Sequence, residues 1–174
     1  IAAGSSSANF SIATLQEALA EGAESFTVTL ASPAGGNFES LVISGANGAA
    51  TTSITDDDTP TIAVSSPTLT EAGFAVFTVS LSNVSTTAVV FTPSLASGSA
   101  TVGTDTGTAL EYFDGSSWLA VPVGGVSIAA GSTSVQVRVA TTDDVAAEGN
   151  ETFALTATVS SGNTGNTSAS GTAT

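Results

Sequence analysis

Almost every side chain in this sequence that can do chemistry is a carboxylate. Asp and Glu number 15 against a single basic residue, Arg138, and the chain has no His, Cys, Met or Lys. Without an imidazole, thiol or amine, the only catalysis open to it is carboxylate chemistry such as glycoside hydrolysis. The same inventory gives a metal no soft ligand, so any bound ion should be a hard cation held by oxygen.

The acids are not scattered. Apart from Glu39, Glu111 and Asp114, they fall at Glu17, Glu21 and Glu24, at Asp56, Asp57 and Asp58, at Glu71 and Asp105, and at Asp143, Asp144, Glu148 and Glu151. Solvated loops are one explanation, because acidic residues collect at turns. Against it, like charges about 4 Å apart repel by about 4 kcal/mol at an effective dielectric near 20. Three adjacent Asp between compact modules therefore call for a cation or cost stability. On an extended backbone Asp56 and Asp58 face one way and Asp57 the other, so one triplet can serve two ions or bridge two modules. Ca2+ accepts roughly six to eight oxygens in irregular geometry, which Mg2+ does not, and it is the cation this clustering favours. The acids sit at repeated positions rather than in one cleft, so an enzyme would need an active site per repeat, and none is expected.

The elements that must carry these acids repeat along the chain. Ile1-Ala2-Ala3-Gly4-Ser5 recurs as Ile128-Ala129-Ala130-Gly131-Ser132. At the same spacing, Ala20-Glu21-Gly22-Ala23-Glu24-Ser25-Phe26 recurs as Ala147-Glu148-Gly149-Asn150-Glu151-Thr152-Phe153. Gly48-Ala49-Ala50-Thr51 pairs with Gly171-Thr172-Ala173-Thr174 at a slightly shorter spacing. This frame makes residues 1–58 the second half of one repeat, ending in an acidic linker. Residues 59–174 become a nearly complete next repeat, lacking its last strand and exit linker. Pro60 suits the start of the new module because it has no N–H to leave unpaired. The chain opens at Ile1 without a signal-peptide n-region and is expected to derive from something larger.

Alternation of apolar and polar residues marks strands at Phe77-Val79-Leu81, Val135-Val137-Val139, Phe26-Val28-Leu30, Phe153-Leu155-Ala157-Val159, Phe10-Ile12 and Ile62-Val64. No helical stretch longer than residues 13–20 is arguable. Turn residues between the runs predict an all-β antiparallel sandwich with Greek-key connections. Residues 112–118 read as a hairpin turning on Asp114-Gly115, with Trp118 packing on the protein rather than stacking on a sugar. Charged residues are only 9% of the chain and hydrophobic ones 41%, with mean hydropathy +0.37, so a packed fold with a Ser/Thr/Gly/Asn surface is expected. A net charge of −14 argues against nucleic acid and anionic membranes as partners. No apolar run approaches the roughly 18 residues of a membrane span.

Three blocks resemble the Calx-beta domain: Glu71-Ala72-Gly73 running into Phe77-Thr78-Val79-Ser80-Leu81, Ala100-Thr101-Val102-Gly103-Thr104-Asp105, and Asp144-x3-Glu148-Gly149-x-Glu151-x-Phe153. The preceding repeat closes on Ile54-Thr55-Asp56-Asp57-Asp58 in the same way. The resemblance implies an immunoglobulin-like sandwich with Ca2+ bound at one end. Carried over by position, the ligands are Glu71, Asp105, Asp144, Glu148 and Glu151 in the second repeat. In the first they are Glu17, Glu21, Glu24, Asp56, Asp57 and Asp58, with Gln16 standing where Asp143 stands. Tandem arrays of this composition look like the extender regions of large secreted bacterial adhesins of the RTX type. That likeness implies a structural role at the cell surface, with neighbouring repeats as partners and calcium stiffening the junctions. Two alternatives accompany it: a filament subunit that exchanges strands with other copies of itself, and a carbohydrate- or protein-binding module anchored on Trp118, Tyr112 and Phe113.

Overall fold

The computed structural model describes residues 1–145 and 149–174. Among the described residues eleven strands form and no helix appears. In residues 1–58 these are β1 (Glu24–Thr29) and β2 (Ala49–Ile54). The second repeat contains β3 (Ile62–Val64), β4 (Phe74–Leu81), β5 (Val89–Ser97), β6 (Glu111–Phe113), β7 (Trp118–Ala120), β8 (Val126–Ile128), β9 (Ser134–Ala140), β10 (Phe153–Ser161) and β11 (Ser168–Ala173).

The second repeat is a sandwich of two antiparallel sheets, as its alternation predicts. One sheet has the order β3-β4-β9-β6-β7 and the other β11-β10-β5-β8, so the chain crosses repeatedly between the layers. Ala75, Phe77, Val79 and Leu81 of β4 point inward and are buried, while Thr78 and Ser80 between them stay partly open to water. Val137 and Val139 do the same on β9, and Val89, Phe91, Val126, Ile128, Phe153 and Leu155 close the core from the opposite sheet. Phe77 meets Phe153 edge-on across the layers, with ring centroids 5.9 Å apart at 74°. Such a pair adds about 0.5–1.5 kcal/mol beyond the area it buries. Gly171 is buried where β11 passes the backbone of Ser65, and a Cβ there would collide with the Ser65 carbonyl.

The predicted hairpin forms between β6 and β7. The Asp114 N–H donates to the Ser117 carbonyl (3.1 Å), and Gly115 takes φ +103°, which a glycine adopts without steric cost. Asp114 Oδ1 accepts from the Ser116 and Ser117 amides, both at 2.8 Å, and from the Ser116 hydroxyl. These donors, the Ser117 amide foremost, hold its carboxyl below the ordinary range. Trp118 packs against Phe113 at 5.3 Å.

Three expectations differ from the structure. Phe10 and Ile12 lie outside any strand and are exposed. Their counterparts by repeat position, Val137 and Val139, are held in β9 by pairing with β4, and residues 1–58 contain no counterpart of β4. Secondly, β11 fills the strand position that the repeat frame leaves empty, pairing with β10 as β2 pairs with β1. Lastly, Phe26 faces Thr52 while Phe153 faces Ala173, so Gly171 corresponds to Ala50 rather than Gly48. A slip of two keeps every side chain on its own face, so strands this rich in Gly, Ala and Thr match almost as well out of register.

Candidate metal centre

Three loops of the second repeat converge at one end of the sandwich on a cleft of about 480 Å3, lined by Glu71, Asp105, Asp143, Asp144 and Glu151. Glu71 comes from the β3–β4 loop, Asp105 from the β5–β6 loop, and the others from the segment joining β9 to β10. Backbone bonds fix the floor. Asp105 accepts from the Thr101 amide at 2.6 Å in a turn where Gly103 adopts φ +96°. The Asp105 carbonyl then accepts from the Thr142 amide (2.9 Å), and the Thr141 amide donates to the Gly73 carbonyl (2.9 Å), so the three loops are tied together. Beside Glu71, Ala72 sits in the left-handed region at φ +62°.

The second acidic set lies where residues 1–58 meet the sandwich. Asp56, Asp57 and Asp58 bring one carboxylate oxygen each within 4.8 Å of one another, and no other group of three among the described residues does so. Asp56 organises the knot: its Oδ1 accepts from the Asp58 amide (3.0 Å) and its Oδ2 from the Glu21 amide (2.8 Å). Gln16 Nε2 donates to Asp57 Oδ1 (3.1 Å) and reaches Asp58 Oδ2 (3.5 Å). Partial desolvation raises the Glu21 pKa, as do the charges of Glu24, Glu17 and Asp56 and a hydrogen bond with the Glu17 carboxyl. Asp58 is raised by the same means, with Asp57, Asp56 and Glu17 as the neighbouring charges. Glu21 and Asp58 are thus crowded by like charges, a repulsion that a divalent cation would relieve.

This knot rests on the next module. The Asn83 side-chain amide donates to the Asp58 carbonyl (2.7 Å) and reaches the Ala18 carbonyl (3.3 Å). Ala20, buried, donates to the Val84 carbonyl and accepts from the Thr86 amide, forming a parallel bridge with Ser85.

Comparison with known families decides what these modules are. The Calx-beta domain matches residues 2–58 and again 55–174. The chain belongs to the Calx-beta family. Calx-beta domains are calcium-binding modules with regulatory or structural roles rather than catalytic ones, and the oxygen-only donors of both clusters fit that ion. The Asp triplet lies in the overlap of the two Calx-beta matches. Among solved structures, "CBD12 from CALX1.2" is similar at TM-score 0.45 and 19% identity, covering 64% of this chain and 44% of that one. This Calx-beta chain thus spans under half of that protein's length. No curated protein matches it.

Of the residues singled out from the sequence, Glu71, Asp105, Asp144 and Glu151 share the cleft, Glu17 and Glu21 lie with the Asp triplet, and Glu24 lies beside Glu21. Glu148 lies outside the described residues. Asp143, absent from the ligand set that the resemblance implied, also lines the cleft. Its counterpart Gln16 supplies an amide to the triplet instead of a carboxylate. Asn83 carried no sequence signal as a junction residue, since only folding brings its loop to Asp58.

Proposed function

We propose that this Calx-beta chain is a structural calcium-binding extender of a bacterial cell-surface adhesin, in which Ca2+ rigidifies the junctions between modules. The ion at the junction is held by Asp56, Asp57 and Asp58 with Glu17, Glu21 and Glu24, and a second site uses Glu71, Asp105, Asp144, Glu148 and Glu151. The observation carrying this reading is the position of the triplet. Its oxygens lie within 4.8 Å of one another, and its backbone is hydrogen-bonded to the next module through Asn83. A cation there neutralises the repulsion that would otherwise push the modules apart, converting a loose hinge into a strut. Low calcium leaves the chain loose, which suits export into a calcium-rich medium. The scarcity of charge elsewhere and the single cation fit a spacer better than a surface that recognises nucleic acid or membrane.

Calorimetric titration with calcium, together with thermal melts in millimolar calcium and in chelator, tests the proposal. Saturable uptake and a higher melting temperature in calcium are the expected results. An identical melting temperature in both would end it.

A further inference from the structure

Of the seven asparagines in this chain only Asn47 precedes a glycine, and of the aspartates only Asp114 does. Either side chain can be attacked by the amide nitrogen of that glycine, which carries no Cβ to shield it. The structure treats the two differently. Asp114 is an ionised carboxylate whose Oδ1 accepts from the Ser116 and Ser117 amides, and a carboxylate so held resists attack by an amide. Asn47 has no such protection. It is exposed where the β1–β2 loop runs into β2, and its carboxamide makes no hydrogen bond among the described residues. Only its backbone is held, by N–H bonds to the Ser44 carbonyl and hydroxyl, both at 3.3 Å. The attacking group is free as well. Just past the last pair of the hairpin, the Leu30 amide donates to the Gly48 carbonyl at 2.7 Å, but the reciprocal bond from the Gly48 amide does not form.

We infer that Asn47 is a site of spontaneous, backbone-assisted deamidation. Solvent hydroxide takes the Gly48 N–H proton, the Gly48 nitrogen bonds to Cγ of Asn47, and the Cγ–Nδ2 bond breaks with loss of ammonia. Water then opens the five-membered succinimide at either carbonyl, leaving aspartate or isoaspartate at position 47. One water is consumed, one ammonia is released, and nothing is oxidised or reduced. The other asparagines precede larger residues, and Asn83 and Asn166 also commit their carboxamides to backbone partners. By strand register position 47 corresponds to Ser168, which is exposed in the second repeat, so the exposure belongs to this place in the fold. Replacing the glycine is no simple escape, because a Cβ at position 48 would collide with Ile43 and the Ser44 carbonyl. Each event adds a negative charge to a chain already at −14. The isoaspartyl product also inserts a methylene into the backbone beside the bond between Gly48 and Leu30.

The reaction does not depend on the calcium reading, and its test uses the whole chain in calcium, incubated in mildly alkaline buffer beside a peptide of residues 44–50. Peptide mapping by mass spectrometry is expected to show a gain of one dalton at Asn47, part of it as isoaspartate. Its rate should lie within about tenfold of the peptide's, because an open loop needs no unfolding step first. Asp114 should remain unisomerised. Asn47→Gln, which could cyclise only through a slower six-membered ring, should abolish the gain. An Asn47 that stays intact in the protein while the peptide reacts overturns the inference, as does a gain of equal size in Asn47→Gln. Isoaspartate forming at Asp114 as fast as at Asn47 overturns it too, because hydrogen bonding would then not be what separates the two sites.

Discussion

The backbone amide of Glu21 donates to Oδ2 of Asp56 at 2.8 Å, while Oδ1 of the same carboxylate caps the amide of Asp58. One side chain thus ties the segment carrying Glu17 and Glu21 to the Asp triplet, and holds both in place before any cation arrives. Charge-assisted bonds of this kind are stronger than neutral ones. Asp56 is therefore the residue on which the geometry of the junction depends.

Replacing it by Ala removes both caps and a carboxylate from the knot. Calcium affinity at the junction is expected to fall at least about 10-fold, since affinity follows ligand charge and rigidity. In calorimetry, one class of sites should weaken while the cleft of the second repeat titrates as before. Retention of both classes in Asp56→Ala would falsify the assignment of this site.

The raised pKa values of Glu21 and Asp58 give a pH dependence that changes sign with calcium. Folding raises these pKa values above the ordinary 4.5 and 3.8, so the folded state binds protons more tightly than the unfolded one. Their contribution is favourable at low pH and is lost as pH rises through the folded pKa values, leaving repulsion at neutral pH. In chelator, acidification from neutral pH toward those values should raise the amide protection factors of residues 16–24, taken relative to the intrinsic exchange rate at each pH. In calcium the same change should lower those protection factors, because protons displace the ion. Parallel trends in the two buffers would show that the acids do not share a cation.

How much of this was legible in the sequence depended on whether a signal was local. Phe77, Val79 and Leu81 announce β4 because alternation alone puts them on one face, and the core they build follows. Phe10 and Ile12 alternate equally well and form no strand, because alternation is silent on whether a partner strand exists. The resemblance to the Calx-beta domain implied that Glu71, Asp105, Asp144 and Glu151 act together, and these four line one cleft. Asn83 was invisible, since its bond to Asp58 links loops 25 residues apart and needs no recognisable residue pattern.

Arg138, the sole basic residue, is held on the outer face of the five-stranded sheet. Its guanidinium carbon lies 3.9 Å from the Phe74 ring centroid and 4.2 Å from the Trp118 ring, and its Nε donates to Glu111 at 2.7 Å. The Glu111 bond is half-open to water and contributes little, whereas the two ring contacts desolvate the cation. Arg138→Gln should cost about 1–2 kcal/mol in urea unfolding and shift Trp118 fluorescence, and Glu111→Gln under about 1 kcal/mol. Equal losses in the two variants would mean that the ion pair, rather than the rings, holds this face.

Ala72 holds φ +62°, a conformation costing an L-residue about 1–2 kcal/mol, between Glu71 and Gly73, whose carbonyl accepts from the Thr141 amide. That bond pins the loop, and the Gly73 amide donates in turn to the Thr141 hydroxyl at 3.1 Å. The strain is thus sustained by the bonds that aim Glu71 at the cleft. Ala72→Gly removes the Cβ clash but widens the unfolded ensemble, and the net expectation is a gain of about 0.5–1 kcal/mol in chemical unfolding. The bonds through Gly73 remain, so calcium affinity of the cleft should change by less than about twofold. Destabilisation by Ala72→Gly would show that the left-handed turn is not the conformation held in solution.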